Sequence, residues 1–235
     1  MSKINIICLP FAGGNKYAYR LFQKWVSHEF NLFTVEYPGR GLRTPANSDS
    51  DINMVTMDAY HQISHLIEDN DYVIYGHSMG ALIGFELIHH IIANNKKPPL
   101  HFFVTGTIAP SSILRKTQNR HLLNKEEFIA MLRELDGCPE ELFQDEELFD
   151  FFEQIIRSDF KLIDSYVYKR RMKLQTGITV VVGANEKLSD SEVRLWQDET
   201  TFEIDFLKMD GKHFFIFDHS DELIKLIENR MLYQN

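Results

Sequence analysis

The segment YGHSMGAL, from Tyr75 to Leu82, is the part of this sequence that most constrains the fold. It follows the short apolar run DYVIY, which is typical of a buried strand, and it precedes ALIGFELIHHII, whose apolar residues recur at helical spacing. Residues 76–80, GHSMG, fit the pattern G-x-S-x-G between a strand and a helix. The pattern predicts an α/β fold that exposes Ser78 as a nucleophile on a tight turn. The alternative is a glycine-rich turn with no chemical role.

The glycines beside Ser78 and the start of the following helix both suit a serine nucleophile. A nucleophile on such a turn has a strained backbone, and side chains at Gly76 and Gly80 would collide with the neighbouring strand and helix. Free N–H groups at the start of the helix carry partial positive charge, which favours negative charge on a substrate oxygen. We therefore expect the N–H of Met79 to be one donor of an oxyanion hole.

Strands and helices alternate along the chain. This alternation predicts an α/β domain with a mostly parallel sheet covered by helices on both faces. Runs rich in apolar, β-branched or aromatic residues predict the strands. The predicted strands are 4–9, 31–37, 72–75, 101–106, 178–183 and 202–209, and the predicted helices are 17–28, 55–68, 79–93, 191–199 and 221–232.

The interval between the fourth and fifth predicted strands is unusually long, at about 70 residues. Within it, NKEEFIAMLREL and EELFDFFEQIIRSDFKLIDSY have helical periodicity. A helical insertion at this point predicts a lid over an active site, at approximately residues 111–172. The alternative is an extra helical layer that only enlarges the core. We predict one domain, residues 1–235, that contains this insertion.

Composition narrows the classes of function. The chain has 34 acidic and 25 basic side chains and a net charge of −9, which disfavours non-specific binding to nucleic acid or to anionic membranes. Its two cysteines, Cys8 and Cys138, are too few for a disulfide framework or a cysteine zinc site. MSKINIICLP lacks the pattern of a secretory signal, and no apolar run approaches the ~18 residues of a membrane span. We expect a cytoplasmic protein that needs no metal or other cofactor.

A histidine must take the proton of the serine hydroxyl, which is otherwise a weak nucleophile. For this strand–turn–helix motif the chain order is serine, then acid, then a histidine after the last strand. His213 follows the last predicted strand in FLKMDGKHFFIF, in a loop opened by Asp210 and Gly211. We predict His213 as the base, with His219, which is closer to the final helix, as the alternative.

An acid is expected after the fifth strand, where it would fix the histidine tautomer and stabilise the imidazolium. Glu186 and Asp190 are both candidates in the segment ANEKLSD that follows this strand. Asp190 has a competing structural explanation as the cap of the helix SEVRLW, aided by Ser189. We therefore favour Glu186, with Asp190 as the alternative acid.

The second donor of the oxyanion hole is expected in the loop PFAGGN after the first strand. Its two glycines, Gly13 and Gly14, allow backbone to approach a ligand closely. We predict the N–H of Ala12 as this donor, with Phe11 as the alternative. A plain glycine turn without a role in catalysis is the remaining possibility.

Six segments along nearly the whole chain together carry a family resemblance. They are CLPFAGG (8–14), EYPGRG (36–41), YGHSMGAL (75–82), TGTIAP (105–110), RSDF (157–160) and DGKHFF (210–215). With these segments the chain resembles the type II thioesterases that accompany nonribosomal peptide and polyketide synthetases. The PFAGG, PGRG and GHSMGA segments together are much more specific than G-x-S-x-G alone.

The resemblance implies an α/β-hydrolase fold, a Ser-Asp-His triad and a mobile helical lid. It implies, as substrates, acyl groups held as thioesters on the phosphopantetheine arm of acyl or peptidyl carrier protein domains. The implied task is editing, in which stalled or misloaded acyl groups are hydrolysed. The family usually has aspartate where Glu186 stands, and glutamate is one methylene longer. Either the loop shifts to accommodate Glu186, or Asp190 serves as the acid.

We therefore expect a serine hydrolase acting on acyl–carrier thioesters. The alternatives are a general small-molecule esterase or lipase and a non-catalytic hydrolase fold that binds a ligand. The basic run Lys169 to Lys173, KRRMK, is the densest in the chain and is a candidate docking patch for an acidic carrier protein. A solvated connector is the alternative for this run.

Overall fold

A six-stranded parallel sheet forms the centre of the part of the protein that the structure describes. The structure is a computed structural model and describes residues 3–43, 51–117 and 119–233. The strands are β1 (Ile4–Leu9), β2 (Phe30–Thr34), β3 (Tyr72–His77), β4 (His101–Thr105), β5 (Gly177–Gly183) and β6 (Asp205–Met209). They lie in the order β2-β1-β3-β4-β5-β6, and each pairs with its neighbours in parallel. This is the α/β architecture that the sequence predicts.

Helices connect most of these strands. They are α1 (Ile52–Ile67), α2 (Met79–Ala93), α3 (Lys125–Leu135), α4 (Glu140–Gln144), α5 (Glu146–Asp164), α6 (Asp190–Arg194) and α7 (Ser220–Tyr233). The helices predicted at 55–68, 79–93 and 221–232 are confirmed to within a few residues. The helix predicted at 191–199 is shorter, because the chain tightens into a 3-10 turn at Leu195–Asp198. The short helix α4 was not predicted.

The central strands send alternate side chains into two separate cores, as the two-residue period of a strand requires. Ile7 of β1 and Ile74 of β3 lie in the core under α1 and α2. Ile6 and Val73, their neighbours in sequence, lie in the second core, which includes apolar residues of α7. All four are fully buried. The sheet is therefore covered on both faces, which explains why these strands are almost continuously apolar.

The helix predicted at 17–28 is wrong. This segment forms successive turns with a single 3-10 helix at Phe22–Lys24. Its backbone hydrogen bonds run mainly from residue i to i−3, and the buried side chains of Tyr19 and Phe22 are three residues apart, which suits the period of a 3-10 turn. The Tyr19 hydroxyl donates to the Leu9 carbonyl at 2.8 Å, so a tertiary contact with the sheet outweighs the helical pattern.

The long interval between β4 and β5 contains two 3-10 turns followed by α3, α4 and α5. The two helices predicted in this interval are confirmed. Residue 118 of the predicted insertion lies outside the described residues, as do residues 1, 2, 44–50, 234 and 235 of the predicted domain. In the described part of the chain, no helix has the length and hydropathy to cross a membrane.

Candidate active site

Ser78 lies between β3 and α2, on a turn with an unusual backbone conformation. Its φ of 54° and ψ of −113° fall in a region that residues other than glycine rarely adopt. The Ser78 N–H donates to the Thr105 carbonyl of β4 at 2.9 Å, and its own carbonyl accepts from Ala81 at 3.1 Å. The turn is therefore tied to the next strand and to the helix that follows, which holds the strained residue in place.

The two glycines of the motif leave no room for a side chain. A Cβ atom at Gly76 would lie 2.5 Å from the backbone nitrogen of Ala81. A Cβ atom at Gly80 would overlap the carbonyl oxygen of Leu9 at the end of β1. This close approach brings the start of α2 against the loop that follows β1.

Glu186 and His213 form a close hydrogen-bonded pair. The distance between His213 Nδ1 and Glu186 Oε1 is 2.6 Å, and the two side chains are 13% and 4% exposed. A carboxylate can only accept, so His213 carries its proton on Nδ1. The other ring nitrogen, Nε2, is then left with a lone pair that can take a proton.

The longer side chain of Glu186 is accommodated by folding back on the end of β5. Its Oε2 accepts the N–H of Gly183 at 2.7 Å, and its own N–H donates to the Gly183 carbonyl at 3.1 Å. A Cβ atom at Gly183 would overlap the carbonyl of Lys212, so the loops carrying Glu186 and His213 touch here. Both carboxylate oxygens are engaged, which fixes the direction of the hydrogen bond to His213.

The alternative acid, Asp190, and the alternative base, His219, have other partners. Asp190 is half-exposed and pairs with Lys208 at 2.7 Å. It is the first residue of α6, and the capping position belongs to Ser189, so the prediction that Asp190 caps this helix is wrong. His219 uses both ring nitrogens, one with Glu222 at 3.0 Å and the other with the Asp210 carbonyl at 2.9 Å.

The predicted oxyanion donors line the same cavity as Ser78. Met79 is the first residue of α2, where a backbone N–H has no partner within the helix. Ala12 and Phe11 line the same cavity as Ser78 and Met79. The two residues that follow Ala12 are fixed, because the Gly13 N–H donates to Asp159 at 2.7 Å and the Gly14 N–H donates to the Phe11 carbonyl at 2.9 Å.

A buried ion pair, which sequence reasoning missed, supports this loop. Arg40 donates from Nη2 to Asp159 and from Nε to the Gly14 carbonyl at 3.1 Å. Arg40 is 4% exposed, and burial raises the pKa of Asp159 while the adjacent guanidinium opposes the rise. The pair joins the segments PFAGG, PGRG and RSDF. All three segments belong to the family resemblance, which could have suggested a shared role. Their spacing along the chain did not show that they meet.

His77, the last residue of β3 and the neighbour of Ser78, is buried against β4. Its Nδ1 lies 3.0 Å from the Thr105 hydroxyl, and its ring is 4.7 Å from the ring of His213, centroid to centroid. Burial first, and then the nearby His213, hold the pKa of His77 well below its usual value. His77 is therefore neutral, and its ring packs beside the ring of His213.

A cavity of about 910 Å³ opens at these residues. Its lining includes five predicted site residues, which are Ser78, Met79, Ala12, Glu186 and His213. The helices of the insertion supply an apolar wall, which includes Leu132, Leu142, Phe152, Ile156, Phe160 and Ile163. Such a space can hold an acyl chain in contact with the serine.

The basic run 169–173 is less free than the sequence suggests. Arg171 pairs with the buried Glu86 of α2, which also accepts from the Tyr166 hydroxyl at 2.7 Å. Lys173 donates to the Gln197 carbonyl at 3.0 Å. Part of the run therefore fastens the end of the insertion to the sheet domain. In the described residues, no group of three or more histidine, cysteine, aspartate or glutamate side chains is placed to hold a metal ion.

Comparison with known proteins gives consistent matches. The family model described as thioesterase domain matches residues 4–231. The gramicidin S biosynthesis protein GrsT of Aneurinibacillus migulanus is 31% identical over 227 residues, covering 96% of this chain and 88% of that protein. ClbQ, from the colibactin NRPS/PKS pathway, matches in structure with a TM-score of 0.89 and 26% identity, over 98% of this chain and 97% of that one. The type II thioesterase BorB, from the borrelidin biosynthetic cluster, matches with a TM-score of 0.86 and 29% identity, over 96% and 91%.

Proposed function

We propose, from the premise that this chain belongs to the thioesterase family, that it hydrolyses acyl thioesters on carrier proteins of a nonribosomal peptide or polyketide synthetase. The family resemblance and the α/β-hydrolase fold are confirmed by the matches. The task would be editing, which releases stalled or misloaded acyl groups. Relatives from gramicidin S, colibactin and borrelidin biosynthesis support this assignment.

In the first half of the proposed reaction, Ser78 attacks the thioester carbonyl. His213 Nε2 takes the serine proton, and Glu186 stabilises the imidazolium through the 2.6 Å hydrogen bond to Nδ1. The N–H groups of Met79 and Ala12 receive the negative charge on the carbonyl oxygen. The pantetheine sulfur then leaves with the proton from His213.

In the second half, water attacks the acyl-serine. His213 takes a proton from this water and returns it to Ser78 as the free acid forms. In both halves of the proposed reaction, side chains and backbone of this chain make every proton transfer and donate every hydrogen bond. We therefore propose that no metal or redox cofactor takes part, and that the phosphopantetheine arm belongs to the substrate.

One observation carries the proposal. The Glu186–His213 pair lies at the wall of the same cavity as Ser78, whose backbone has the strained conformation of an exposed nucleophile. Acid, base and nucleophile come from three loops at the carboxyl ends of β5, β6 and β3. The apolar part of the wall of this cavity can hold an acyl chain.

The test is hydrolysis of a panel of acyl-carrier proteins beside matched free acyl-pantetheine thioesters. We expect turnover of both, with higher kcat/KM on the carrier-bound forms. Turnover of simple carboxylic esters at rates above those of all thioesters would favour the general esterase or lipase instead.

A fluorophosphonate probe tests the non-catalytic alternative. We expect the probe to label Ser78 in the wild type and to leave the Ser78→Ala variant unlabelled. A wild type that resists the probe would indicate a ligand-binding hydrolase fold.

We also propose that the helices between β4 and β5 act as a lid over the cavity, and that acyl or peptidyl carrier domains dock at its rim. The supporting observation is that α3, α4 and α5 contribute much of the cavity wall. A cytoplasmic location fits the two free cysteines, Cys8 and Cys138, and can be checked by cell fractionation.

A further inference from the structure

Arg115 is a buried cation in the wall of the active-site cavity. It lies in the 3-10 turn Ile113–Thr117 that follows β4, and it is 9% exposed. Ser78 and His213 line the same cavity. A buried guanidinium normally has a carboxylate partner, because removing a charge from water is costly unless the charge is compensated.

The partners of Arg115 are neutral. Its Nε donates to the Ala109 carbonyl at 2.9 Å, and its Nη2 donates to the Thr107 hydroxyl at 2.7 Å and to the Ile108 carbonyl. These contacts use three of the five N–H groups of a guanidinium. Within residues 3–43, 51–117 and 119–233, no carboxylate is in ion-pair range of Arg115, and Nη1 has no acceptor.

Arg120, the second arginine in this wall, shows the contrast. Its Nε and Nη2 lie 3.0 Å and 2.7 Å from one oxygen of Asp164, whose side chain is fully buried. Arg120 is thus neutralised within the protein. Burial first, and then the charge of Arg120, lower the pKa of Arg115 to about 10, so Arg115 keeps its proton at neutral pH.

The loop that holds Arg115 also contacts His213, the proposed base. Thr107, which accepts from Arg115, directly follows Gly106, and a Cβ atom at Gly106 would lie 3.4 Å from His213 Cε1. An acyl group whose far oxygen reaches Arg115 from a thioester at Ser78 would extend along this loop. The apolar wall around Ile156 and Phe160 remains for its methylene groups.

We propose that Arg115 is a specificity residue that binds an oxygen acceptor, best a carboxylate, at the far end of a short acyl chain. The enzyme would then favour acyl groups such as succinyl over apolar groups of the same shape. This inference rests on the proposed thioesterase function and names the class of acyl group that its cavity selects.

The experiment uses three pantetheine thioesters of matched shape. Succinyl ends in a carboxylate, 4-oxopentanoyl ends in a ketone, and 4-methylpentanoyl ends in two methyl groups. We measure kcat/KM for each with the wild type, Arg115→Gln and Arg115→Lys, and we check folding of each variant by thermal unfolding. A hydrogen bond to a charged group changes selectivity by about 10- to 100-fold.

We expect Arg115→Gln to lower the succinyl to 4-methylpentanoyl ratio of kcat/KM by about 10- to 100-fold, with 4-oxopentanoyl in between. Arg115→Lys, which keeps the charge, should retain part of the ratio. Equal loss on all three substrates would overturn the proposal and make Arg115 a support of the loop after β4.

If both variants fail to fold, the substrate preference of the wild type still tests the proposal. A cavity without a cation available to the substrate would reject a carboxylate, since its desolvation is uncompensated. A wild-type preference of about 100-fold or more for 4-methylpentanoyl over succinyl would overturn the proposal. Hydrolysis of none of the three would overturn the thioesterase proposal and this inference with it.

Discussion

Asp159 of α5 accepts the backbone N–H of Gly13 at 2.7 Å, across 146 positions of sequence. A helix of the insertion thus holds the loop that carries the proposed oxyanion donor Ala12. Arg40 completes the contact from a third segment. The position of α5 at the cavity and the position of the loop that carries Ala12 are therefore linked by this contact.

Replacement of Asp159 by asparagine tests this link. The change leaves Arg40 as a buried cation without its partner, which costs about 3–5 kcal/mol in the free energy of unfolding. We also expect kcat to fall by about 10- to 100-fold, because the donor loop loses its charged acceptor. Denaturant unfolding and steady-state kinetics measure the two effects.

The double variant Arg40→Met with Asp159→Leu is the control for stability. It removes both charges, so most of the stability should return while kcat stays low. Normal kcat in either variant would show that the ion pair has no part in positioning the loop.

Exchange of carboxylate for amide tests the proposed acid. Glu186→Gln should lower turnover by at least ~100-fold, because a neutral partner cannot stabilise the imidazolium of His213. Asp190→Asn is the matched control, and it should leave turnover unchanged and cost at most about 1 kcal/mol for an exposed pair with Lys208. The reverse ranking of the two variants would move the acid to Asp190.

Removal of the nucleophile and the base tests the other two roles. Ser78→Ala should abolish turnover and keep the fold, since it deletes one hydroxyl. His213→Ala should be almost as damaging, because nucleophile and base act as a unit. His219→Ala, which removes a histidine already bonded to Glu222 and Asp210, should retain activity. A His219 variant slower than the His213 variant would reassign the base.

Charge reversal in the basic run separates structure from docking. Arg171→Glu places a second negative charge beside the buried Glu86, so we expect a lower melting temperature and reduced activity on every substrate. Arg170→Glu changes an exposed residue. If this face docks carrier proteins, it should lower kcat/KM only for carrier-bound substrates and weaken the salt dependence. Unchanged kinetics of the Arg170 variant on both substrates would exclude docking through this residue.

Two buried histidines make stability depend on pH. Burial lowers the pKa of His101 to about 3 and that of His77 well below its usual value, whereas both titrate near ~6.5 when unfolded. Below about pH 6 the unfolded chain binds more protons than the folded one, so stability falls as pH falls. Two protons correspond to about 2–3 kcal/mol per pH unit once the unfolded groups are fully charged. Above about pH 7 neither histidine contributes to the slope.

Urea unfolding at several pH values between about 7 and 4 measures this slope. His101→Gln is the control, because glutamine can still bond to Thr179 but does not titrate in this range. We expect the variant to lose the part of the slope that one histidine contributes, about 1.4 kcal/mol per pH unit. An unchanged slope would show that His101 is protonated in the folded protein.

The sequence predicted the sheet and most helices well, because each has a strong local period. It predicted Ser78, Glu186 and His213 as the site, since the strand–turn–helix context and chain order narrow the choice to a few residues, and the structure brings all three to one cavity. It wrongly predicted an α-helix around Tyr19, where the hydrogen bond from the Tyr19 hydroxyl to the sheet favours 3-10 turns. No local pattern encodes such a contact.

The contacts that hold the site residues in place also could not be predicted from local sequence patterns. Arg40 and Asp159 are 119 residues apart, and their pairing depends on how the insertion packs against the sheet. The fit of Glu186 likewise depends on a hydrogen bond to Gly183 that only the folded loop provides. Sequence reasoning therefore predicted the reacting groups but not the contacts that place them.

The strand order has a consequence for the biogenesis of the enzyme. Ser78 follows a strand at the centre of the sheet, whereas His213 follows β6, the edge strand made last. During synthesis from the N-terminus, the nascent chain presents its nucleophile well before its base emerges. We therefore expect hydrolysis to begin only when β6 docks on β5 and brings His213 to Glu186.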